Sequence, residues 1–364
     1  MRIAIFANND VGLYRFRREL VQKLAAVHQV LIVMPEGRYS EHFVSLGCQV
    51  ADIPLERRGM NPFSDFLLFL HYFRHLADFK PQVVLTYTVK PNVYGGLACR
   101  LRRVPQIANI TGLGTAVEKG GLLKNIVLTL HRIGLKKARC VFFQNEHNLN
   151  ALTSTQVIQG KTRLIPGSGV NLEDHPFEPY PAEENGLRFL FIGRITKNKG
   201  VGELLDAMKA LRGSGVNASL TLIGEAEEDY AGRLQDADGI TFLGFRSDIH
   251  EQIKACHCLV LPSYHEGMAN VLLEAASTGR PVIASRIPGC AETFDEGVSG
   301  FGCEPMDAGS LLSAMKRFTL LTNRERAQMG KNGREKVERS FDRNIIIKAY
   351  LEEIATIQEE TNTP

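Results

Sequence analysis

Glu266-Gly-Met-Ala-Asn-Val-Leu-Leu-Glu274-Ala-Ala-Ser-Thr-Gly-Arg-Pro-Val282 decides how this chain is read. Cys258-Leu-Val-Leu-Pro262 before it and Pro281-Val-Ile-Ala284 at its end are short continuous apolar runs, which fits buried strands. Between them Gly267 and Asn270 permit a turn, and an apolar helix start follows. A strand–loop–helix–strand unit leaves backbone N–H groups unpaired at a helix N-terminus, where an anion can sit. Glu266 lies at the loop and Glu274 in the first turns of the helix; carboxylates accept hydrogen bonds from hydroxyls. The pattern suits a ligand that combines a diphosphate with hydroxyl-rich sugars.

Working outward, the same rhythm repeats. Strands are predicted at Ile3–Ala7, Gln29–Met34, Val83–Tyr87, Gln106–Ile110 and Cys140–Gln144, with helices over Tyr14–Val27, Glu41–Leu46, Phe63–Phe79 and Leu122–Lys137. The run Ile165-Pro-Gly-Ser-Gly-Val-Asn-Leu172, with Pro176, Pro179 and Pro181 behind it, breaks the alternation and reads as a linker. A second series then begins: strands at Leu187–Gly193, Ala218–Gly224, Ile240–Leu243, Leu259–Pro262 and Pro281–Ala284, with a helix over Val201–Leu211. A final helix over Asp342–Ile357 carries Ile345, Ile346, Ile347, Tyr350, Leu351 and Ile354 on its apolar face. Alternation predicts an α/β fold of two doubly wound, Rossmann-like domains with a cleft between them. The expected limits are 1–170, 171–341, and a terminal helix over 342–364 crossing back to the first domain.

With 364 residues the chain exceeds one small core. No run approaches the roughly 18 apolar residues that a membrane span requires, and the opening strand does not read as a signal peptide. Seven scattered cysteines predict a reducing, cytoplasmic compartment, with Cys256 and Cys258 as core residues rather than metal ligands. His71 and His75, one turn apart, lack a third ligand and read as helix-surface residues. Charge is divided: residues 1–166 hold 22 Lys and Arg against 10 Asp and Glu, and the remainder is acidic. Opposite charges on two domains help them associate; equally, the basic half suits an anionic lipid surface or a phosphate-bearing acceptor.

Chemistry gathers at successive strand ends of the second half. Gly193-Arg194 leaves one strand, and Lys197 and Lys199-Gly200 enter the next helix, a combination able to clamp a diphosphate. Gly224-Glu-Ala-Glu-Glu and Phe242-Leu-Gly244-Phe245-Arg246 follow the next two strands, where a glycine-edged turn offers backbone atoms to a base.

These motifs carry a resemblance. Gly193-Arg194…Lys199-Gly200, Phe242-Leu-Gly244 and Glu266-Gly-x-x-Asn270-x-x-x-Glu274-Ala-x-x-x-Gly279-x-Pro281-Val282 together resemble the family-4 glycosyltransferases, retaining enzymes of the GT-B fold. The first half resembles the branch acting on polyprenyl-diphosphate-linked sugars, through Asn9-Asp10-x-Gly12-Leu-Tyr14-x-Phe16-Arg17, Thr86-Tyr-Thr-x-Lys90-Pro-Asn92-x-Tyr94-Gly95, Thr111-Gly-Leu-Gly114 and Pro166-Gly-Ser-Gly-Val170. The resemblance implies that Arg194 and Lys199 neutralise the departing diphosphate and that Glu266 grips the transferred sugar. Gly267, Met268, Ala269, Asn270 and Val271 would support the donor through backbone groups, and Glu274 would hold the ribose. Gly12, Gly224 and Phe245 would complete the donor side. A histidine that many relatives carry after the fourth strand is missing, which leaves Asn109 or Thr111 for the sugar. Asn9, Asp10, Tyr14, Arg17 and Lys90 fall on the acceptor side.

The function so implied is retaining transfer of a sugar, an N-acetylhexosamine by resemblance, from a UDP-sugar to a polyprenyl-diphosphate-linked saccharide. No metal, cofactor or nucleic-acid partner is expected. A sugar-nucleotide epimerase would share the fold but has no use for a basic acceptor domain. A mere sugar-nucleotide binder would not need Arg194, Lys199, Glu266 and Glu274 together. The helix over Leu122–Lys137 and the Arg100-Leu-Arg-Arg103 run are expected to dock the protein, as a peripheral one, on the cytoplasmic face of the inner membrane.

Overall fold

In the computed structural model, described for residues 1–55, 61–112, 121–158, 160–227, 230 and 239–362, the apolar runs become two all-parallel sheets. Leu113, Gly114 and Glu228, quoted above within motifs, lie outside the described residues. Contacts divide the chain into one unit of Met1–Ser168 plus the segment from Ile346, and another of Gly169–Ile345.

The first unit has β1 (Arg2–Phe6), β2 (Gln29–Met34), β3 (Gln49–Asp52), β4 (Val83–Tyr87), β5 (Gln106–Ile110), β6 (Cys140–Phe143) and β7 (Thr162–Leu164), ordered 3-2-1-4-5-6-7. Its helices are α1 (Asp10–Ala25), α2 (Ser40–Ser45), α3 (Pro62–Phe79), α4 (Gly96–Arg102), α5 (Gly121–Leu135) and α6 (Glu146–Ser154); a π turn at Pro91–Gly95 runs into α4. Strands covered on both faces need no alternation, which is why β1, β4 and β5 read as unbroken apolar runs. One face of the sheet packs Ile3, Ile5, Leu85 and Phe142 against Leu13, Leu20 and Leu24 of α1. The same core takes Ile346, Ile347, Tyr350, Ile354 and Ile357 from α12 (Arg343–Asn362). The other face receives Leu68, Tyr72 and Leu76 of α3, and Leu135 of α5.

Acidic residues of α12 meet basic ones of the sheet. Lys161 and Arg163 pair with the buried Glu353, Arg163 also with Glu352, and Arg139 with Glu360. Part of the charge division along the sequence is thereby resolved inside one unit.

The second unit has β8 (Leu187–Ile192), β9 (Ala218–Ile223), β10 (Ile240–Phe242), β11 (Cys258–Leu261), β12 (Val282–Ser285) and β13 (Gly300–Cys303), ordered 10-9-8-11-12-13. Its helices are α7 (Val201–Gly213), α8 (Ile249–Ala255), α9 (Asn270–Ser277), α10 (Ala308–Thr319) and α11 (Asn323–Ser340). Cys256 and Cys258 belong to its hydrophobic core, and burial pushes the Cys256 thiol up to about 12. Where the chain enters and leaves this unit, Val170 N–H donates to Phe341 O at 2.9 Å and Arg343 N–H to Val170 O at 3.0 Å. The two crossing segments thus run parallel as a bridge.

Strands β3, β7 and β13 were not predicted, and each is a sheet edge. An edge strand needs less apolar surface, so Gln49-Val-Ala-Asp52 and Gly300-Phe-Gly-Cys303 carry little hydrophobic signal. In each sheet the strand order reverses at the first strand, between β1 and β4 and between β8 and β11. Such a reversal opens a crevice beyond the carboxyl ends of the strands, where ligands of doubly wound sheets bind.

Candidate active site

At the reversal in the second unit, β8 ends in Gly193-Arg194 and β11 in Pro262-Ser-Tyr-His-Glu266. Arg194 is exposed and makes no ion pair among the described residues. The chain then forms a single 3-10 turn, Lys197–Lys199, and enters α7 through Gly200 at φ +68°. A side chain at Gly200 would place its Cβ 2.1 Å from Pro262 O, so only glycine lets the Lys199 turn lie against the end of β11. That close approach is what joins the two motifs: Lys199 Nζ donates to Glu266 Oε1. Ser263 Oγ donates to the same oxygen at 2.8 Å. Both donors converge on Oε1, and Oε2 takes no protein donor among the described residues.

After Glu266 the loop turns into α9, whose N-terminus has no side-chain cap. Gly267 and Asn270 are half-buried, Met268 and Ala269 buried, and Val271 and Glu274 half-buried along the first turns. The Oδ1 atom of Asn270 is buried without a partner. Ala269 N–H donates to Gly289 O at 2.8 Å, so the loop after β12 props the Glu266 turn from behind. Sequence reading missed Ser263 and Gly289. Their signals were present: Ser263 ends a strand at the reversal, and Pro288-Gly289 is a turn pair at the end of the next one.

Gly224 closes β9 at φ +142°, with its N–H donating to Gly244 O at 2.9 Å. Its Cβ would fall 1.9 Å from Gly193 O, so the ends of β8, β9 and β10 are held edge to edge by glycine. Phe245 follows, 59% exposed. Arg246 forks onto Asp248 with bonds of 2.8 and 2.7 Å and holds that carboxyl well below its usual range.

In the first unit the reversal brings the start of α1 beside the end of β4. Asn9 caps α1, its Oδ1 accepting from Gly12 N–H at 2.6 Å. Asp10 is buried, and its Oδ2 accepts from Tyr39 N–H at 2.7 Å. Tyr14 stacks on Tyr39 with ring centroids 4.1 Å apart. Arg17 is buried, its guanidinium over the rings of Tyr87 and Tyr350 at 5.2 and 5.8 Å. Lys90 is half-buried and bonded to Asp65 at 2.6 Å.

Asn109 is fully buried. Its Nδ2 donates to Tyr350 Oη at 2.5 Å, its Oδ1 accepts from Gln144 at 3.5 Å, and its carbonyl from Asn92 at 2.8 Å. Thr111, two residues on, is half-buried and is the more accessible of the two. Asn109 looked like a ligand residue because its position at a strand end was legible, whereas the pairing of its amide with the Tyr350 hydroxyl of the returning helix was not.

Asp236-Ala-Asp238 is an Asp-x-Asp tripeptide, the pattern by which the other major class of sugar-transferring enzymes holds a metal; it lies outside the described residues. The expectation of a metal-free site therefore rests on the Arg194 and Lys199 cations. Among the described residues no three His, Cys, Asp or Glu are grouped so as to hold a metal ion, and no helix is long and apolar enough to cross a membrane.

Comparison with known proteins places two family models on the chain. Residues 174–336 match the family model "Glycosyl transferases group 1", and residues 2–145 match "Glycosyl transferase 4-like". The chain is 26% identical over 374 residues to an N,N'-diacetylbacillosaminyl-diphospho-undecaprenol alpha-1,3-N-acetylgalactosaminyltransferase of Campylobacter jejuni, covering 96% of this chain and 97% of that one. It is 26% identical over 311 residues to a UDP-Gal:alpha-D-GlcNAc-diphosphoundecaprenol alpha-1,3-galactosyltransferase of Escherichia coli, covering 80% and 79%. Among solved structures, Anabaena HepE in complex with UDP and glucose superposes with a TM-score of 0.79 at 19% identity, over 98% of this chain and 100% of that one.

Proposed function

The chain belongs to the group 1 glycosyl transferases, with the GT-B fold, and on that premise we propose that it transfers an N-acetylhexosamine, with retention, from a UDP-sugar to a saccharide carried on a polyprenyl diphosphate. The observation that carries this reading is the Lys199–Glu266 pair at the strand-order reversal of the second unit, where Arg194 ends β8 with no ion pair among the described residues. The lipid-linked acceptor is supported by the names of the relatives in Campylobacter jejuni and Escherichia coli, the UDP-sugar by the latter, and the N-acetylhexosamine by the former, the Escherichia coli relative being named for transfer of galactose.

Breaking the bond between sugar and diphosphate builds positive charge on the anomeric carbon and negative charge on the departing phosphate. Arg194 and Lys199 meet the negative charge, together with the uncapped N-terminus of α9. A preorganised cation of this kind is worth about 3 kcal/mol, roughly a hundredfold in rate. Glu266, with Oε1 occupied by Lys199 and Ser263, keeps Oε2 for a hydroxyl of the migrating sugar. Glu274 takes the ribose hydroxyls, and the backbone at Gly224 and Phe245 takes the base. With two side-chain cations on the leaving group, the reaction runs without a metal. In the first unit, Tyr14 and Lys90 are assigned to the acceptor. Asn9, Asp10, Arg17 and Asn109 act at one remove, by shaping the ends of α1 and β5. The protein works as a peripheral one, on the cytoplasmic face of the inner membrane.

The test is incubation with a panel of UDP-sugars, with and without a short-chain polyprenyl-diphosphate saccharide. Product that forms only with the acceptor, and retains the donor's anomeric configuration, supports the reading. An isomerised donor, or no turnover with any pair, rejects it.

A further inference from the structure

Helix α3 has the wrong outer face for a helix in water. Its inward residues Asp65, Leu68, Tyr72 and Leu76 are buried, as amphipathic spacing requires. The opposite face should then be polar. Instead Phe63 is 69% exposed, Phe66 55%, and Leu67 and Leu70 also lie open, a run at spacings of three and four along one side of the helix. Apolar side chains ranged in this way, rather than scattered, mark a contact surface.

Charge beside the stripe narrows what covers it. Helix α3 packs against α4, and α4 against α5. Neither α4 nor α5 contains Asp or Glu, whereas Arg102, Arg103, Lys124, Arg132 and Lys136, on these helices or directly behind them, are exposed. The guanidinium of Arg102 lies 3.7 Å from the centre of the Phe73 ring on α3, which carries positive charge to the border of the stripe. The carboxylates of α3 do not offset it. Asp65 is buried and binds Lys90 and the Tyr94 hydroxyl, at 2.6 and 2.8 Å, and Asp78 faces Arg74 at 3.7 Å. An apolar stripe bordered by cations complements an anionic lipid bilayer, with acyl chains to receive Phe and Leu and headgroups to receive Arg and Lys.

We infer that α3 is the helix by which this protein seats on an anionic bilayer, with Phe63, Phe66, Leu67 and Leu70 at the acyl boundary and the cations of α4 and α5 over the headgroups. Sequence reading assigned this role to the α5 segment with the Arg100-Leu-Arg-Arg103 run; the longest exposed apolar run lies on α3, while α4 and α5 bring the cations and add single exposed residues, Leu101, Ile126 and Ile133. The inference rests on the lipid-linked acceptor for the reason a bilayer is at hand, and it adds a link to that acceptor. Asp65, on the inner side of the same helix, holds Lys90 in place, so the seated helix and the acceptor-side lysine move as one piece.

The test is flotation of the full chain with phosphatidylcholine vesicles and with phosphatidylglycerol vesicles. The wild type is expected to float with the anionic vesicles. Phe66→Ser with Leu70→Ser is expected to lower the bound fraction on the order of tenfold or more. Both sites face water, so the thermal melt and the turnover of a water-soluble short-chain acceptor should be unchanged in that variant. The inference is overturned if the wild type ignores anionic vesicles, if the double variant binds them equally well, or if it loses turnover on the soluble acceptor. A wild type that self-associates through the stripe and binds no vesicle overturns it in favour of a second copy. Stripe-dependent flotation without turnover on any acceptor would sink the proposed reaction and leave the seating intact.

Discussion

Lys199 and Glu266 show what a residue-level reading can and cannot extract. Each was legible as a candidate, Lys199 as a cation at a helix start and Glu266 as a carboxylate in a turn. Their direct contact was not, because it depends on Gly200 lying against Pro262 O, an approach between segments more than sixty residues apart in sequence. Under the proposed assignment, substituting Lys199 by Ala removes a charge from the leaving-group side, so kcat should fall about a hundredfold, near 3 kcal/mol, with donor affinity changing far less. Glu266→Gln keeps the shape and the hydrogen bond from Ser263 but loses the charge, and should also fall chiefly in kcat. Glu274→Ala should instead raise KM for the donor, because a ribose contact is the same in ground and transition states. Steady-state kinetics of the three variants decide the matter; an unchanged kcat in Lys199→Ala would remove the charge argument.

At the scale of elements, two buried groups organise the linker region of the second unit. Arg280, the unassigned residue of the Gly279-x-Pro281 motif, is fully buried and donates to the carbonyls of Glu178, Pro179, Lys254, Thr278 and Gly279. It therefore ties the entering segment to the ends of α8 and α9. Arg280→Leu leaves those carbonyls buried without donors and should cost about 3 kcal/mol of stability in chemical denaturation; a loss within 0.5 kcal/mol, the scatter of a neutral surface change, would contradict that role. The periodicity of the chain gave no hint of this, since an arginine between glycine and proline reads as a solvated turn.

His257 is the second such group. Its Nδ1 accepts from Arg188 N–H at 3.0 Å and its Nε2 lies 3.2 Å from Ala182 O, an arrangement that fixes the neutral tautomer. Burial, with Arg188 nearby, lowers its pKa to about 4 from an ordinary 6.5. Between those values the unfolded chain takes up a proton that the folded chain refuses, so folding stability falls as pH drops from 6.5 to 4. By pH 4 the loss amounts to about 3 kcal/mol. Denaturation at pH 7, 5.5 and 4 should show this slope, and His257→Gln should flatten it; identical slopes in both proteins would refute the assignment.

For the whole molecule, the doubly wound pattern of each unit was legible because central strands advertise themselves as apolar runs. The terminal helix was legible as amphipathic, from Ile346, Tyr350 and Ile354 at one face. Its return to the first domain was expected as well, but not the particular side chains it meets there, since nothing local names them. The contacts answer this: α12 contributes five large side chains to the core of β1, β4 and β6, and its glutamates take up Lys161 and Arg163. Burial of that many apolar groups is worth about 10 kcal/mol, comparable to the whole stability of a domain. A chain ending at Ser340 should therefore lose amide-exchange protection throughout β1, β2 and β4 while β8, β9 and β11 keep theirs. Equal protection in both sheets would show that the first unit stands without α12.

Because the helix that completes the first core comes at the far end of the chain, the order of synthesis and the order of completion are reversed. The ribosome delivers β1 before the second unit and α12 only after the whole of it, on the order of tens of seconds later at usual elongation rates. Throughout that interval Ile3, Ile5 and Leu85 lack the apolar surface that finally covers them, whereas the second sheet has all its own strands and helices in hand as soon as α11 is made. The unit that is begun first is the unit whose core is closed last.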